Sequence, residues 1–264
     1  GAGLIGLKCA EALHHLNADI TVVDLADRIL PSILDVRAGE IMQKHIEDKG
    51  TKFILGTSVE QFSKNSAKLT NGETVDFDIL VIAVGVRPNT ELVSDAGGKV
   101  EKGIITDLHQ QTTIDNVYAA GDCTVSHDCS SNTDRILALL PNAFMQGEGA
   151  GKNMAGEETL YLNAIPMNAI GFYGLHIITA GSYDGDEDIT EDADKEIYKK
   201  LVFKDGLLKG FILMGDVARA GIYTSMIKEQ IPLTEVDLDL LRDKPQMMMF
   251  GKARREEKLA GKKH

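Results

Sequence analysis

Gly1, Gly3 and Gly6 form a G-x-G-x-x-G run, "GAGLIG", and no other feature of this sequence restricts its fold as tightly. Three glycines at that spacing suit a strand-to-helix turn. The first makes the turn, the second admits a pyrophosphate, and the third lets helix meet strand. The following residues agree: "LIGLKCAEALHHL" has apolar residues at helical spacing, and "DITVVDL" is a β-branched run of strand length. Such a helix aims its first N–H groups at a pyrophosphate. Asp24 ends the strand, where a carboxylate accepts both hydroxyls of an adenosine ribose and repels a 2′-phosphate. NAD is therefore favoured over NADP, with Arg28 close enough to soften the preference. A plain strand end is the alternative role for Asp24. The run begins at the first residue, so the strand that would deliver it is not in this sequence. The expectation is a longer parent chain; the alternative is a truncated, non-catalytic nucleotide-binding or interaction fragment.

The next stretches continue an α/β pattern. "SILDVRAGEIMQKHIEDKG" reads as an amphipathic helix stopped by Gly50, and "TKFILG" as a strand. Asn71-Gly72 predicts a hairpin between short antiparallel strands. "ILVIAVG", ending at Gly85, is wholly apolar and predicts a strand deep in a parallel sheet. Beyond Pro88 the character changes: "KGIITD" and "NVYAAGD" read as short strands and "PNAFMQGEGAGKNMAG" as a helix. An α+β pattern follows. "AIGFYGLHIITAGSY", "EIYKKLVFKDG" and "LLKGFILMG" predict strands, the last two joined at Asp205-Gly206. "DVARAGIYTSMIKEQ" predicts a helix with Asp216 as N-cap. The acidic "DGDEDITEDADKE" reads as a solvated loop. Its Asp184, Asp186 and Asp188 hint at calcium, but the glycine and glutamate of an EF-hand loop are missing, so no metal site is expected.

The net charge of -12 opposes nucleic acid as the main partner, since phosphate binding needs clustered Lys and Arg. No apolar stretch approaches the ~20 residues of a membrane-spanning helix, so no membrane partner is expected. Cys9, Cys123 and Cys129 make no C-x-x-C pair, and this usage suits a reducing cytoplasm. Cys9 is expected on the packing stripe of the first helix with Ile5, Leu13 and Leu16. His14 and His15 fall in that helix, His109 and His127 in loops and His176 in a strand; none has metal-ligand spacing.

The order of "GAGLIGLKCAEAL", "ITVVDLADRILP", "VGVRPNTEL", "VYAAGDC" and "PNAFMQGEGAGKNMAG" resembles the FAD-dependent pyridine nucleotide–disulfide oxidoreductase superfamily. Within it, the chain looks most like the rubredoxin reductase, NADH oxidase and nitrite reductase flavin-domain group. The resemblance implies an α/β fold with three parts: a Rossmann-like NAD-binding domain over 1–88, the returning segment of an FAD-binding domain over 89–156, and a C-terminal α+β domain over 157–264. It implies FAD and NAD as cofactors, with hydride passing from NADH to flavin. The electrons then go to an acceptor such as rubredoxin, a linked reductase domain or oxygen, and the C-terminal domain can support a homodimer. By resemblance Gly1, Gly3, Gly6, Asp24 and Gly85 serve NAD, Gly121 and Asp122 hold the flavin ribityl chain, and Asn142 and Gln146 support the flavin contact. The helix near Pro141 would set its positive end against a reduced flavin. No acid–base dyad stands out, as expected where positioning of cofactors dominates, so no catalytic residue is assigned. Two departures matter. Lys8 stands where family members often carry Glu near the nicotinamide, and neither the redox cysteine pair nor the C-terminal His-Glu pair of the disulfide-reducing branch is present, "KARREEKLAGKKH" included. A disulfide substrate is not expected.

Overall fold

The computed structural model describes residues 1–260, without the Glu257 side chain; the last four residues of "KARREEKLAGKKH" lie outside the described residues. The glycine run leads into α1 (Leu4–His14), then β1 (Thr21–Val23), α2 (Val36–Glu47) and β2 (Lys52–Ile54). β1 and β2 pair in parallel, as a βαβ unit requires. Asp35 caps α2, its carboxylate accepting the Ala38 N–H at 2.9 Å. Ala38, Met42 and Ile46, four residues apart, bury one face of that helix. β3 (Val59–Phe62), β4 (Ser66–Leu69) and β5 (Thr74–Asp76) form an antiparallel sheet whose β4–β5 turn is the expected Asn71-Gly72.

After the short α3 (Glu91–Asp95) come β6 (Ile104–Ile105), β7 (Thr124–Asp128), β8 (Thr133–Ile136) and α4 (Leu140–Met154). The C-terminal part holds β9 (Met167–Phe172), β10 (Leu175–Gly181), β11 (Asp186–Asp192), β12 (Ile197–Lys204) and β13 (Leu207–Met214), then α5 (Ala220–Lys228), α6 (Leu238–Asp243) and α7 (Lys252–Ala260). These five strands make one antiparallel sheet in the order β11-β12-β13-β10-β9. Its central strand β13 is buried on both faces. Ile212 and Met214 of β13 point to one side, packing with Leu7, Ala10, Met42 and Ile46 from the N-terminal unit. Phe211 and Leu213 point to the other, packing with Tyr223, Met226 and Ile227 of α5. The period-two alternation thus fills both cores from one strand.

Polar contacts fix the N-terminal unit on the first face. Asp35 accepts the Tyr198 hydroxyl at 2.7 Å and the Lys200 ammonium at 3.1 Å, and Lys200 also pairs with Glu187. Burial pulls Lys200 downward, yet the bonds to Glu187 and Asp35 outweigh it and hold the ammonium above its ordinary value. Arg37 meets Glu191, and His45 Nδ1 lies 2.8 Å from Glu196.

Six expectations need correction. "ILVIAVG" is not a strand: residues 78–89 make no backbone hydrogen bond among the described residues, and Ile82 and Val84 are 65% and 84% exposed. The run is apolar enough for a sheet interior, but no described strand lies beside it to complete a ladder. "NVYAAGD" forms only a single bridge, Gln111 to Tyr118, and the strand begins after the turn, at Thr124. The inward residues of β7 are Thr124, Ser126 and Asp128, polar side chains that hydrophobic periodicity does not detect. The acidic stretch is the edge strand β11, neutralised from β12 by Lys200 on Glu187 and, just before the strand, by Lys204 on Asp184. The predicted N-cap Asp216 accepts instead from Ala218 N–H at 3.1 Å, a local turn, and the helix starts four residues later. Finally, α1 buries Leu7 and Ala10, whereas Ile5 and Leu16 are exposed, so Cys9 flanks the buried stripe instead of sharing it with them. His127, expected in a loop, lies in β7.

Candidate functional site

The glycine run divides its labour. A Cβ on Gly1 would sit 2.1 Å from the Ala83 carbonyl oxygen, and one on Gly6 would sit 1.9 Å from the Gly1 carbonyl oxygen. Both glycines are therefore required by the chain's own close packing. Gly3 differs: nothing lies within 4 Å of its Cβ position, so the middle of the turn faces open space where a phosphate can approach. Asp24 reaches back to this turn, accepting the Ala2 N–H at 2.5 Å and the Ala26 N–H at 2.8 Å. The spacing argument did not anticipate the Ala2 bond, which shapes the turn as well as marking the strand end. Arg28 turns elsewhere, donating to the Pro31 carbonyl at 3.3 Å and lying 3.8 Å from Asp27, with its Nε buried and unpartnered. Gly85 follows the exposed apolar segment at φ +104.

Lys8 donates to the Gly171 carbonyl at 2.8 Å, pairs with Glu11, and lies 5.2 Å from the Phe172 ring centre. It ties α1 to the first strand of the C-terminal sheet. Burial raises the Glu11 carboxyl, but the Lys8 bond and the Tyr173 N–H more than reverse this, leaving it below its usual range.

A second group surrounds the Gly121–Asp122 turn. Gly121 adopts φ +86, and its N–H donates to Gln146 Oε1 at 2.6 Å. Thr124 closes the other side, its hydroxyl and N–H both directed at the Gly121 carbonyl. Gln146 Nε2 donates to the Ser126 hydroxyl. One helical turn earlier, Asn142 donates to the Ile165 carbonyl at 3.1 Å and accepts the Tyr161 hydroxyl at 2.8 Å. Burial, with the nearby Cys129, pushes Tyr161 up to about 12. Asp122 is exposed and makes no hydrogen bond among the described residues.

Two observations fit a flavin near this turn. The Asp122 carboxylate is free for a hydroxyl, and no side chain caps the α4 N-terminus or places an acid in its first turn. A cavity of about 1070 Å³ is lined by Ser126, the partner of Gln146, and by Gln110, whose buried Oε1 has no partner among the described residues. None of Gly121, Asp122, Asn142 and Gln146 lines that cavity, and it shares no lining residue with the glycine run. Residues 1–6, Asp24 and Ala83 come together, as do Gly121, Asn142 and Gln146. No hydrogen bond among the described residues joins the two groups. Tyr161 and Ser126 escaped the sequence reading because each acts through a long-range contact with no local motif.

A family model described as pyridine nucleotide-disulphide oxidoreductase matches residues 1–147, and one described as rubredoxin NAD+ reductase C-terminal domain matches residues 166–231. The chain is 32% identical over 245 residues to the NADH-dependent phenylglyoxylate dehydrogenase subunit epsilon of Aromatoleum evansii, a match that covers 89% of this chain and 58% of that protein. It is 30% identical over 249 residues to the rubredoxin-NAD(+) reductase of Acinetobacter baylyi, covering 91% of this chain and 60% of the relative. The NAD-dependent persulfide reductase of A. fulgidus superposes with a TM-score of 0.80 at 26% identity, over 89% of this chain and 49% of that one. The chain thus spans from 49% to 60% of the length of these three relatives. On the match over more than half its length, the chain belongs to the pyridine nucleotide-disulphide oxidoreductase family.

Proposed function

We propose that the chain serves an NADH-dependent flavoprotein oxidoreductase. The carrying observation is the turn at Gly3, open to a ligand and braced by Asp24 through the Ala2 N–H. In this reading, Gly1 and Gly6 keep the turn close to Ala83, Gly3 admits the pyrophosphate, and Asp24 accepts the adenosine ribose hydroxyls with its remaining lone pairs. Asp24 also disfavours a 2′-phosphate, so NADH is the preferred donor. Gly121 and Asp122 hold the ribityl chain of FAD, with the α4 N-terminus toward the flavin ring. Bound FAD supplies hydride acceptance and the onward transfer of electrons. The protein residues bind, orient and exclude water. The division at 1–88, 89–156 and 157–264 belongs to this reading.

The relatives named rubredoxin-NAD(+) reductase and NADH oxidase support an acceptor that is a small redox protein or oxygen, and a linked reductase domain is the further alternative within this reading. Among the described residues no helix is long and apolar enough to cross a membrane. A cytoplasmic location and a homodimer that the C-terminal domain can support are parts of the same proposal. A second reading, a nucleotide-binding or interaction module without turnover, is favoured by the exposed apolar residues 79–86.

The test is a visible absorption spectrum of the purified chain before and after anaerobic NADH. The oxidoreductase reading expects a flavin band that bleaches. A colourless protein that still binds NADH supports the module instead.

A further inference from the structure

Asn142 and Gln146 lie four residues apart on α4, so they share one helix face, and both are buried, at 0% and 1% exposure. Each amide is engaged at both ends by protein. Gln146 spans from the Gly121 N–H to the Ser126 hydroxyl; Asn142 spans from the Tyr161 hydroxyl to the Ile165 carbonyl. Buried amides with both ends satisfied do not offer themselves to a ligand; they hold other groups still. What they hold is informative. Gln146 grips the turn that presents Asp122, and Asn142 grips the segment that enters β9 and the five-stranded sheet.

We infer that Asn142 and Gln146 are positioning residues which link the C-terminal sheet to the Gly121–Asp122 turn. The inference rests on the flavin reading above, because the turn's purpose there is to present Asp122 to FAD. Gly121 occupies the left-handed region at φ +86, a conformation that a glycine easily leaves when its N–H is released. Gln146 supplies the only hydrogen-bond acceptor for that N–H among the described residues. Thr124 holds the carbonyl on the other side, so loss of the Gln146 bond frees one half of the turn without dissolving it. Asn142 then determines where Gln146 stands, because one rigid helical turn connects them.

The test uses the full chain and reads two quantities: amide hydrogen exchange at Gly121, followed by NMR, and FAD affinity, followed by fluorescence quenching. Gln146→Met keeps the side-chain volume and removes the acceptor. It is expected to speed Gly121 exchange about fivefold to tenfold, the worth of one hydrogen bond, and to weaken FAD binding by a similar factor. Gln146→Glu keeps an acceptor and is expected to restore both within about twofold. Asn142→Leu is expected to speed Gly121 exchange about twofold or more, through the helix. Amides of Phe211–Leu213 in β13 report global opening, and their exchange is expected to stay unchanged in all three variants.

Unchanged Gly121 exchange in Gln146→Met overturns the inference, as does equal acceleration at β13, which would mean general loosening. An Asn142→Leu variant that leaves Gly121 untouched overturns the link to the C-terminal sheet. If the wild-type chain takes up FAD and Gln146→Met binds it as tightly, the positioning role alone falls. If the wild-type chain takes up no FAD, the flavin reading falls and this inference falls with it.

Discussion

"ILVIAVG" and "GFILMG" are equally apolar, and the molecule treats them in opposite ways. The second is the end of β13, flanked by β12 and β10, with Phe211 and Ile212 fully buried on opposite faces. The first runs beside the glycine turn with its side chains in solvent and its backbone outside any ladder. Both are apolar apart from their glycines, so hydrophobicity alone does not decide the outcome. Neighbours decide it: a strand exists when another strand takes its N–H and C=O groups, and the hydrophobic gain follows from that pairing.

The contrast breaks most visibly under truncation. Phe211→Ala should cost about 4 kcal/mol, measured as the shift in urea unfolding midpoint, because it empties a site packed on Tyr223. Val84→Ala, by the same measurement, should cost less than about 0.5 kcal/mol. Equal costs for the two would mean that the apolar segment is packed in solution and the comparison fails.

Whether the strength of the sheet reaches the N-terminal unit is read from Lys200→Met. This change leaves Asp35 and Glu187 without their shared cation, and because both carboxylates keep partial solvent access the loss should be about 2 kcal/mol. Lys200 is held above its ordinary value in the folded state. Its contribution is therefore complete below the unfolded lysine value of ~10.4 and fades as pH rises through the higher folded value. The gap between wild type and variant should close in strongly alkaline urea titrations. A gap that widens there would refute the assignment.

On the exposed side of the comparison, Asp24→Ala should weaken NADH binding about tenfold, as seen by calorimetry, and narrow the preference over NADPH. Its effect on unfolding should be smaller than that of Lys200→Met. The smallest effect concerns the joint between the regions. The phenolate absorbance that distinguishes wild type from Tyr161→Phe should appear at about 12, above the ordinary ~10 of tyrosine. An ordinary titration would show that the Tyr161 ring is not buried in solution.

Much of this architecture was readable from residues alone, and the reasons are local. The β-branched "ITVV", the i, i+4 stripe of α2, and the Asn71-Gly72 and Asp205-Gly206 turns each carry their own conformational preference. Asp24 and Gly121 were marked by position in a motif. What escaped depends on distant partners. The acidic strand β11 is held by its ladder to β12 and by cations distant in sequence, Lys200 on Glu187, Arg37 on Glu191 and Arg242 on Asp188, whose pairing no window along β11 can show. The polar interior of β7 defeats a reading based on hydrophobicity, because Thr124, Ser126 and Asp128 are buried through hydrogen bonds. The amides of Asn142 and Gln146 were marked as ligand contacts by their place in the chain; only their partners show both ends occupied.

The uneven surroundings of the three glycines carry a consequence for how such a chain tolerates change. Gly1 and Gly6 press against carbonyl oxygens, whereas Gly3 looks into empty space. In a saturation library selected only for soluble expression, Gly3 should accept small side chains while Gly6 rejects all of them. Selected for retention on an immobilised adenine nucleotide, the same library should lose the Gly3 variants as well. Two positions that read identically as letters would then separate into one that answers to the fold and one that answers to the ligand.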